Sequence, residues 1–484
     1  MANFFKRLGK SLLIPAVVLS ISGVLLGIGY IMAPVAVAGK ESGFDAEGIL
    51  YVAGTFFVNV GKALIDNMPV LFAVGISVGM SKDGDGTAGL AGLVSCLVIT
   101  GVWSLETAGT FTGVAAGAFE KGGNALIGIL SGLIGAGSYN RFRGLAFPER
   151  LSFFNGKRAV PVMAALLSVP VAGLLLFIWP AVYRWTAAFG KVFSGFGAVS
   201  AGIYVFFNRL LLPFGLDRAL NSVFLSDASG IADLTNFWNG GGLYGQTGMY
   251  MTGFFPFMLL GIPAACLAMY HTADSDKKTM VCGLFLSVAF CSFFTGVTAP
   301  AEFIILFFAP GLYFIHTLLA GITAGITAAL PVRAGFSLSG GLIDLTLSSF
   351  MPLARNPWLL IPVSAGTAVI YYLLFRFAIV RFDLKTPGRE RETGVEKKRE
   401  LLKNNDFAAA ARTILDGVGG KGNVKQLDYC VTRLRLELKD YTLINEKKIR
   451  LAGVAGIIRP KKYSVQVVVG MKVPFVAEEM KKMV

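Results

Sequence analysis

The composition of the chain changes abruptly at Phe382-Asp383-Leu384-Lys385-Thr386-Pro387-Gly388. Long apolar runs precede this stretch, whereas residues 389–405 are highly charged and show no apolar periodicity. A charged segment without apolar periodicity is typical of a linker. The sequence therefore predicts a membrane-embedded domain over residues 1–384, a charged linker over 385–404 and a small C-terminal domain over 405–484.

The chain as a whole is too apolar for a soluble enzyme of its length, and its long apolar runs lie in the part before the linker. The 484 residues are 54% hydrophobic and 15% charged, with a mean hydropathy of +0.65. Runs long enough to cross about 30 Å of hydrocarbon recur along this part. They lie near residues 12–37, 51–80, 88–112, 160–184, 250–270, 279–298, 303–328 and 357–380, and shorter or glycine-broken runs lie near 123–139 and 195–213. We predict a mostly α-helical, polytopic membrane protein with about ten transmembrane helices, some forming re-entrant hairpins buried in protein.

The formal net charge of +15 would indicate nucleic-acid binding in a soluble protein. Here much of the excess lies in loops beside apolar runs, as expected of cytoplasmic loops. These residues are Lys6, Arg7 and Lys10, and then Arg141, Arg143, Arg150, Lys157 and Arg158. We therefore expect both termini in the cytoplasm and membrane lipids, not nucleic acid, around the protein.

The C-terminal domain is predicted to mix helices and strands. Residues 407–415 read as a helix, 429–438, 455–458 and 463–469 as strands, and 473–483 as a closing amphipathic helix. In the first strand a period of two places Leu434, Leu436 and Leu438 on one face and Arg433, Arg435 and Glu437 on the other. These elements make a small α+β domain.

Cys430 precedes this regular strand in Asp428-Tyr429-Cys430-Val431-Thr432-Arg433-Leu434-Arg435-Leu436. A cysteine in a loop beside arginines has a lowered pKa, and backbone amides with the guanidinium groups neutralise an added phosphoryl group. We expect Cys430 to carry a phosphoryl group bound by Thr432, Arg433 and Arg435. An inert cysteine beside ordinary surface arginines is the alternative.

The remaining cysteines give no sign of a metal site. Cys96, Cys266, Cys282 and Cys291 lie in apolar segments, and the two histidines, His271 and His316, supply no ligand spacing. We predict neither a bound metal nor a cofactor.

A charged pair interrupts one apolar segment. Arg209 and Asp217 flank Pro213 and Gly215, and charges near a broken membrane helix are costly unless they line a cavity or bind something polar. Both are therefore candidates for a binding site. The alternative is that the two residues form a structural pair or lie at an interface.

Several motifs resemble the glucose superfamily of the sugar phosphotransferase system. In the body these are Leu151-Ser152-Phe153-Phe154-Asn155-Gly156-Lys157-Arg158, Asn208-Arg209-Leu210-Leu211-Leu212-Pro213-Phe214-Gly215-Leu216, Pro263-Ala264-Ala265-Cys266-Leu267-Ala268-Met269-Tyr270 and Asp383-Leu384-Lys385-Thr386-Pro387-Gly388-Arg389. In the tail they are Cys-x-Thr-Arg-Leu-Arg-Leu at 430–436 and Gln466-Val467-Val468-Val469-Gly470. The resemblance implies a IIC–IIB fusion in the bacterial plasma membrane that imports a sugar and phosphorylates it. It also implies a homodimer and a separate phosphorylated IIA protein that donates to Cys430.

The break at Thr295-Gly296-Val297-Thr298-Ala299-Pro300-Ala301-Glu302-Phe303 resembles the family's Gly-x-Thr-Glu-Pro-x-Glu-Phe sugar-binding hairpin. The resemblance implies that Gly296, Thr298, Ala299 and Glu302 face the sugar, with Arg209. Two positions depart from the family pattern, because Ala299 replaces the first acid and Asp217 replaces a histidine.

These departures lead to a hypothesis about the substrate. The pair keeps one negative charge, but the carboxylate has moved to Asp217, which takes over hydroxyl recognition or general-base work. Ala299 then leaves room for a bulkier or amino-bearing sugar. The alternative function is a non-phosphorylating permease or a membrane sensor with an altered pocket.

Overall fold

The computed structural model describes residues 2–33, 48–103, 125–226, 230–275, 277–337, 339–389, 401–402, 405–430, 432–470 and 472–484. The chain divides into two compact units, Met1–Arg389 and Glu390–Val484. The first is helical, and the second contains a β-sheet.

The described part of the first unit consists mainly of helices. They are α1 (Ala2–Met32), α2 (Ile49–Asp66), α3 (Met68–Met80), α4 (Gly86–Val102), α5 (Ala125–Phe142), α6 (Ala159–Phe193), α7 (Ala198–Leu211), α8 (Asp217–Phe224), α9 (Asp233–Trp238), α10 (Met249–Thr272), α11 (Lys278–Thr295), α12 (Ala299–Phe308), α13 (Pro310–Ala329), α14 (Leu342–Ser348) and α15 (Leu360–Arg381). The largest apolar core lies among α7, α10, α13 and α15.

Among the described residues, seven of these helices are long and apolar enough to cross a membrane: α1, α2, α6, α10, α11, α13 and α15. Four more, α3, α4, α7 and α12, are apolar but shorter. Large apolar side chains such as Phe177 and Val380 are exposed on these helices, as expected for a surface that faces lipid. The predicted polytopic, mostly α-helical body is confirmed.

The predicted run over 51–80 is two helices, not one. α2 ends at Asp66, and α3 begins at Met68 with Pro69 in its first turn. Proline lacks an N–H group and fits the first turn of a helix, where that group has no partner within the helix. Parts of three other predicted runs, residues 34–37, 104–112 and 123–124, lie outside the described residues.

Two broken segments meet inside this unit. α7 is followed by a 3₁₀ turn, Leu212–Phe214, and by Gly215 with a φ of 67°. α11 ends at Gly296, whose φ of 72° reverses the chain into α12. Only glycine adopts such a φ without steric cost. The segments are in contact, since Arg209 of α7 lies within hydrogen-bond distance of Thr298.

The end of the first unit packs against the turn between α10 and α11. Arg389 donates from Nη1 to the carbonyl of Thr272 at 2.8 Å, and Asp274 donates its N–H to the carbonyl of Gly388 at 2.9 Å. Residues 385–389 of the predicted linker thus belong to the helical unit. Residues 390–400 and 403–404 lie outside the described part of the chain.

The second unit is an antiparallel sheet covered on one face by helices. Its elements are α16 (Phe407–Gly417), β1 (Val424–Tyr429), β2 (Arg433–Leu438), α17 (Glu446–Arg450), β3 (Gly456–Lys461), β4 (Ser464–Val468) and α18 (Val473–Met483), with strand order β1-β2-β4-β3. The leucines of β2 are buried and pack with Val465, Val467 and side chains of α16 and α18. The alternating burial of β2 confirms the predicted faces, and the α+β class is confirmed. The strand predicted over 429–438 begins only at Arg433, because Tyr429 ends β1 and Cys430 follows it outside the strands. The rest of β1 and α17 were not predicted.

Candidate functional site

Cys430 lies in the turn between β1 and β2 and is half-buried. Its N–H donates to the carbonyl of Arg433 at 2.9 Å. The carbonyl of Thr432 accepts from the N–H groups of Val469 and Gly470, at 3.0 and 2.9 Å. These bonds attach the turn to the end of β4 and fix the position of the thiol.

The turn favours the thiolate form of Cys430. The backbone N–H of Thr432, followed by that of Arg433 and by the guanidinium group of Arg435, holds the pKa of Cys430 below its ordinary value. Hydrogen bonds to the charged form and a nearby cation both act in this direction. The sulfur is therefore a better nucleophile near neutral pH than an ordinary cysteine sulfur.

The two arginines are exposed and available to a ligand. Arg433 and Arg435 lie on the open face of β2, and Arg435 pairs in register with Asp428 on β1 and Gln466 on β4. Arg433 donates from Nη1 to Oε1 of Gln466 at 3.2 Å. In the described part of the chain neither guanidinium forms an ion pair with a carboxylate.

A second polar cluster lies where the broken segments of the first unit meet. Arg209 donates from Nη1 to Oε1 of Glu302 at 3.1 Å and lies 3.3 Å from Oγ1 of Thr298. Thr298 donates to the same oxygen of Glu302 at 2.6 Å. The side chain of Glu302 is fully buried and that of Arg209 is 9% exposed, so each charge is compensated within the protein.

The other carboxylate oxygen of Glu302 has no partner. Oε2 is buried and accepts no hydrogen bond from the described residues. His316 is also fully buried; its Nε2 lies 3.5 Å from Oε1 of Glu302, beyond good hydrogen-bond geometry, and its Nδ1 lies 3.2 Å from the hydroxyl of Tyr371. A buried acceptor that has no partner among the described residues is rare and costly, so Oε2 is a candidate position for a donor group.

Arg209 is held on its remaining sides by neighbouring groups. Oδ1 of Asn208 accepts from Nε at 3.0 Å and also from Nη2. The guanidinium carbon lies 5.3 Å from the centre of the Phe254 ring, and Tyr313 donates its hydroxyl to the backbone carbonyl of Arg209. The guanidinium group is thereby fixed in position and orientation.

Comparison with known proteins decides the family. The family model "Phosphotransferase system, EIIC" matches residues 9–321, and "phosphotransferase system, EIIB" matches residues 412–445. The chain is 38% identical, over 99% of both sequences, to the N-acetylglucosamine-specific EIICB component of Bacillus subtilis (strain 168). The chain belongs to the phosphotransferase-system (PTS) sugar permeases.

Two further relatives carry the name EIICBA. The N-acetylglucosamine-specific component of Escherichia coli (strain K12) is 36% identical over all of this chain and 71% of its own length. The glucose-specific component of Staphylococcus carnosus (strain TM300) is 35% identical over 94% of this chain and 69% of its own length. The permease is thus a bacterial inner-membrane protein and a sugar phosphotransferase with a cytoplasmic EIIB domain, which confirms the predicted family, function and location.

The structure of the permease brings some of the sequence-predicted residues of the membrane unit into direct contact and leaves others outside that cluster. Arg209, Thr298 and Glu302 form one cluster. Asp217 starts α8 beside it, half-buried, and its carboxylate forms no ion pair with Arg209 among the described residues. The predicted alternative of an Arg209–Asp217 pair is therefore replaced by a pair between Arg209 and Glu302.

Ala299 directly follows Thr298 in the same hairpin and is half-buried. It begins α12 and packs against an apolar cluster that includes Leu12 and Phe72. Its methyl group supplies no polar contact, so the candidate carboxylates near the hairpin are those of Glu302 and Asp217.

Sequence reasoning did not assign Asn208, Tyr371 or Gln466 to either site. Asn208 directly precedes Arg209, and Gln466 lies within a motif already singled out. Tyr371 is placed by the packing of α15 against α13, which the sequence of a single apolar helix does not reveal.

Proposed function

We propose that this permease imports an aminosugar, with N-acetylglucosamine as the first candidate, and phosphorylates it with the group carried by Cys430. The observation that carries the proposal is the pair of carboxylates at the broken segments. Within the described ranges of the chain, Oε2 of Glu302 is buried without a hydrogen-bond partner, and Asp217 forms no ion pair. Three of the relatives are named N-acetylglucosamine-specific. Ala299 in place of an acid leaves room for a substituent larger than a hydroxyl.

The phosphoryl group reaches the sugar in two transfers. The thiolate of Cys430 attacks the phosphorus of the donor; an S–P bond forms, and the donor keeps the electrons of the bond that breaks. A sugar hydroxyl oxygen then attacks this phosphorus, an O–P bond forms, and the thiolate leaves. The backbone at Thr432 and the guanidinium groups of Arg433 and Arg435 neutralise the charge on the phosphoryl oxygens.

The sugar is held before the second transfer by the cluster in the membrane unit. Arg209 and Thr298 orient Glu302 through Oε1, so that Oε2 accepts from a sugar hydroxyl. Gly296 allows the reversal that brings Thr298 and Ala299 to the site. Asp217 accepts the proton of the reacting hydroxyl as general base.

Two partners belong to the proposal. The matched models are those of EIIC and EIIB, so a phosphorylated IIA protein is the proposed donor to Cys430. A homodimer of the membrane unit is the proposed assembly. Crosslinking in native membranes, with a chain-to-chain product expected at twice 51.5 kDa, tests the dimer.

The test of function is sugar phosphorylation in membranes. Membrane vesicles receive a phosphorylated donor cascade and glucose, glucosamine or N-acetylglucosamine, and the product is identified by mass spectrometry. N-acetylglucosamine is expected to give the phosphorylated product at the highest kcat/KM. Accumulation of unmodified solute alone would instead support the non-phosphorylating permease.

The roles of Asp217 and Ala299 are tested separately. Asp217→Asn is expected to lower phosphorylation by about 100-fold, within the range for loss of a general base. Asp83→Asn, which removes an exposed carboxylate paired with Arg143, serves as the control and leaves the rate unchanged. The double variant Asp217→His with Ala299→Glu is expected to shift preference toward glucose; unchanged preference contradicts the specificity assignment.

A further inference from the structure

Asp344 is a buried carboxylate that the proposed chemistry does not use. It lies in the first turn of α14 and is 3% exposed. Oδ1 accepts from the N–H of Ser337 at 2.9 Å, and Oδ2 accepts from the N–H of Ser339 at 3.2 Å. Both donors belong to the pre-α14 loop, defined here as Ser337 and Ser339–Gly341. The carboxylate thus fixes the backbone of the loop that precedes its own helix.

This loop touches the hairpin that carries Glu302. Ser339 donates from Oγ to the carbonyl of Gly296 at 2.7 Å. A Cβ atom added to Gly296 would lie 2.6 Å from the backbone nitrogens of Gly340 and Gly341. The two backbones are therefore in direct contact, without intervening side chains. A shift of the loop would move the turn that leads into Thr298.

The same loop also touches the segment that supports Arg209. A Cβ atom on Gly340 would lie 3.1 Å from the nitrogen of Phe255 and 3.2 Å from the carbonyl carbon of Phe254. The ring of Phe254 lies against the guanidinium group of Arg209. Through these contacts the loop supports both halves of the Arg209–Glu302 pair, which come from elements 93 residues apart in sequence.

We propose that Asp344 is a positioning residue for the sugar site. By fixing the pre-α14 loop it sets the distance between the hairpin with Glu302 and the face of Phe254 that orients Arg209. The proposal rests on the assignment of Glu302 as a sugar ligand. Asp344 touches neither sugar nor phosphoryl group, so its effect is confined to sugar binding and orientation.

The test compares Asp344→Asn with a matched variant, Asp233→Asn. Asp233 is also a buried carboxylate in the first turn of a short helix, and it accepts from the N–H groups of Gly248 and Tyr250, at 2.6 and 2.9 Å. An asparagine at either position places an NH₂ group against a backbone donor. Both variants are therefore expected to lose thermal stability to a similar extent.

The readouts are the KM for the sugar and the rate at which the donor phosphorylates Cys430. A displacement of about 1 Å in a site costs up to about 100-fold, so Asp344→Asn is expected to raise KM and lower kcat/KM for the sugar about 10- to 100-fold. Asp233→Asn leaves this KM within about twofold because its loop does not hold Gly296. The rate of Cys430 phosphorylation stays unchanged in both variants.

If Asp344→Asn does not fold, a milder pair of variants tests whether the pre-α14 loop positions the sugar site. Ser339→Ala removes only the hydroxyl bonded to Gly296, and it is expected to raise the sugar KM severalfold. Ser364→Ala removes a buried hydroxyl that donates to Leu360 at 2.6 Å on α15, and it leaves KM unchanged. Equal KM values for these two variants would overturn the proposal.

Glu302→Gln separates this inference from the proposed function. If Glu302→Gln abolishes sugar binding while Asp344→Asn matches Asp233→Asn in KM, the positioning role is wrong and the sugar site stands. If Glu302→Gln binds sugar as well as the parent protein, the sugar site and the positioning role are both wrong.

Discussion

The permease uses arginine in two different ways. In the membrane unit, Arg209 is buried and bonded to Glu302 and Asn208. On the sheet domain, Arg433 and Arg435 are exposed and, among the described residues, unpaired with any carboxylate. A compensated guanidinium group acts as a rigid support, whereas an uncompensated one is available to a charged group that arrives and leaves. The difference matches the two tasks of holding a neutral sugar and passing an anionic phosphoryl group.

Removing the phosphoryl carrier has the largest expected effect. Cys430→Ala eliminates the sulfur nucleophile, so sugar phosphorylation is expected to fall by more than about 1000-fold. The measurement is phosphorylated sugar formed in vesicles with the donor cascade. Cys282→Ser, which alters an exposed cysteine of the membrane unit, is the control and retains the parent rate. Residual turnover in Cys430→Ala near that of Cys282→Ser would place the carrier elsewhere.

Breaking the Arg209–Glu302 pair tests whether this buried arginine depends on its countercharge for stability. Glu302→Gln leaves Arg209 buried without a countercharge and is expected to destabilise the protein by about 3–5 kcal/mol. Thermal unfolding of the purified permease measures this loss. Glu479→Gln breaks the exposed pair with Lys482 and is expected to cost less than about 1 kcal/mol. Similar losses in the two variants would contradict the view of Arg209 and Glu302 as a buried ion pair.

Removing an exposed arginine affects chemistry without a large loss of stability. Arg435→Ala is expected to slow phosphoryl transfer about 100-fold, since it removes a group that stabilises the developing charge. It also raises the pKa of Cys430, because the guanidinium group favours the thiolate.

The pH dependence of Cys430 alkylation in a Cys282→Ser background measures this pKa. In the parent, the alkylation rate reaches its midpoint below the pH of about 8.5 typical of an ordinary cysteine. The thiolate is populated above this midpoint and is lost as the pH falls below it. Arg435→Ala moves the midpoint upward, whereas Arg412→Ala, at an exposed position on α16, does not. An unmoved midpoint in Arg435→Ala would remove this arginine from the site.

A change in ionic strength is expected to have the smallest of these effects. It compares the exposed arginines beside Cys430 with the buried Arg209–Glu302 pair. Raising ionic strength from 0.01 to 1 M shortens the Debye length from about 30 to about 3 Å. The alkylation midpoint of Cys430, which lies beside exposed arginines, is expected to rise by a few tenths of a pH unit, within about the range of weak surface interactions. The KM for the sugar stays constant because the Arg209–Glu302 pair is shielded from ions. A salt-dependent KM would indicate that the membrane cluster is open to solvent.

The two sites also differ in how far their sequences reveal them. The phosphoryl site lies within six consecutive residues, from Cys430 to Arg435, so the proximity of its side chains follows from the sequence itself. Arg209 was marked by a charge in an apolar segment, and Glu302 by the resemblance of its hairpin motif, but their pairing across 93 residues was not predictable from one sequence. Closeness in sequence suggested Asp217 as the alternative partner of Arg209, and tertiary packing selected Glu302.

The fold shows the same division between local and long-range information. Burial alternates along β2 as the leucines indicate, whereas β1 lacks a regular alternation and contains a bulge between Val424 and Gln426. The break between α2 and α3 at Asn67 was missed because the apolar run continues beyond it, although Asp66 and Pro69 mark the break. The hairpin at Gly296 was found because glycine and proline mark its turn.

The unpartnered Oε2 of Glu302 sets the kind of selectivity expected of the membrane unit. This oxygen is already dehydrated when the protein folds, so a ligand that donates to it gains a hydrogen bond without first displacing solvent from the acceptor. A deoxy analogue that lacks the matching hydroxyl leaves the acceptor unsatisfied and is rejected far more strongly than an analogue that merely carries extra bulk. If Glu302 binds the sugar as proposed, discrimination among solutes is expected to depend on which hydroxyl is present.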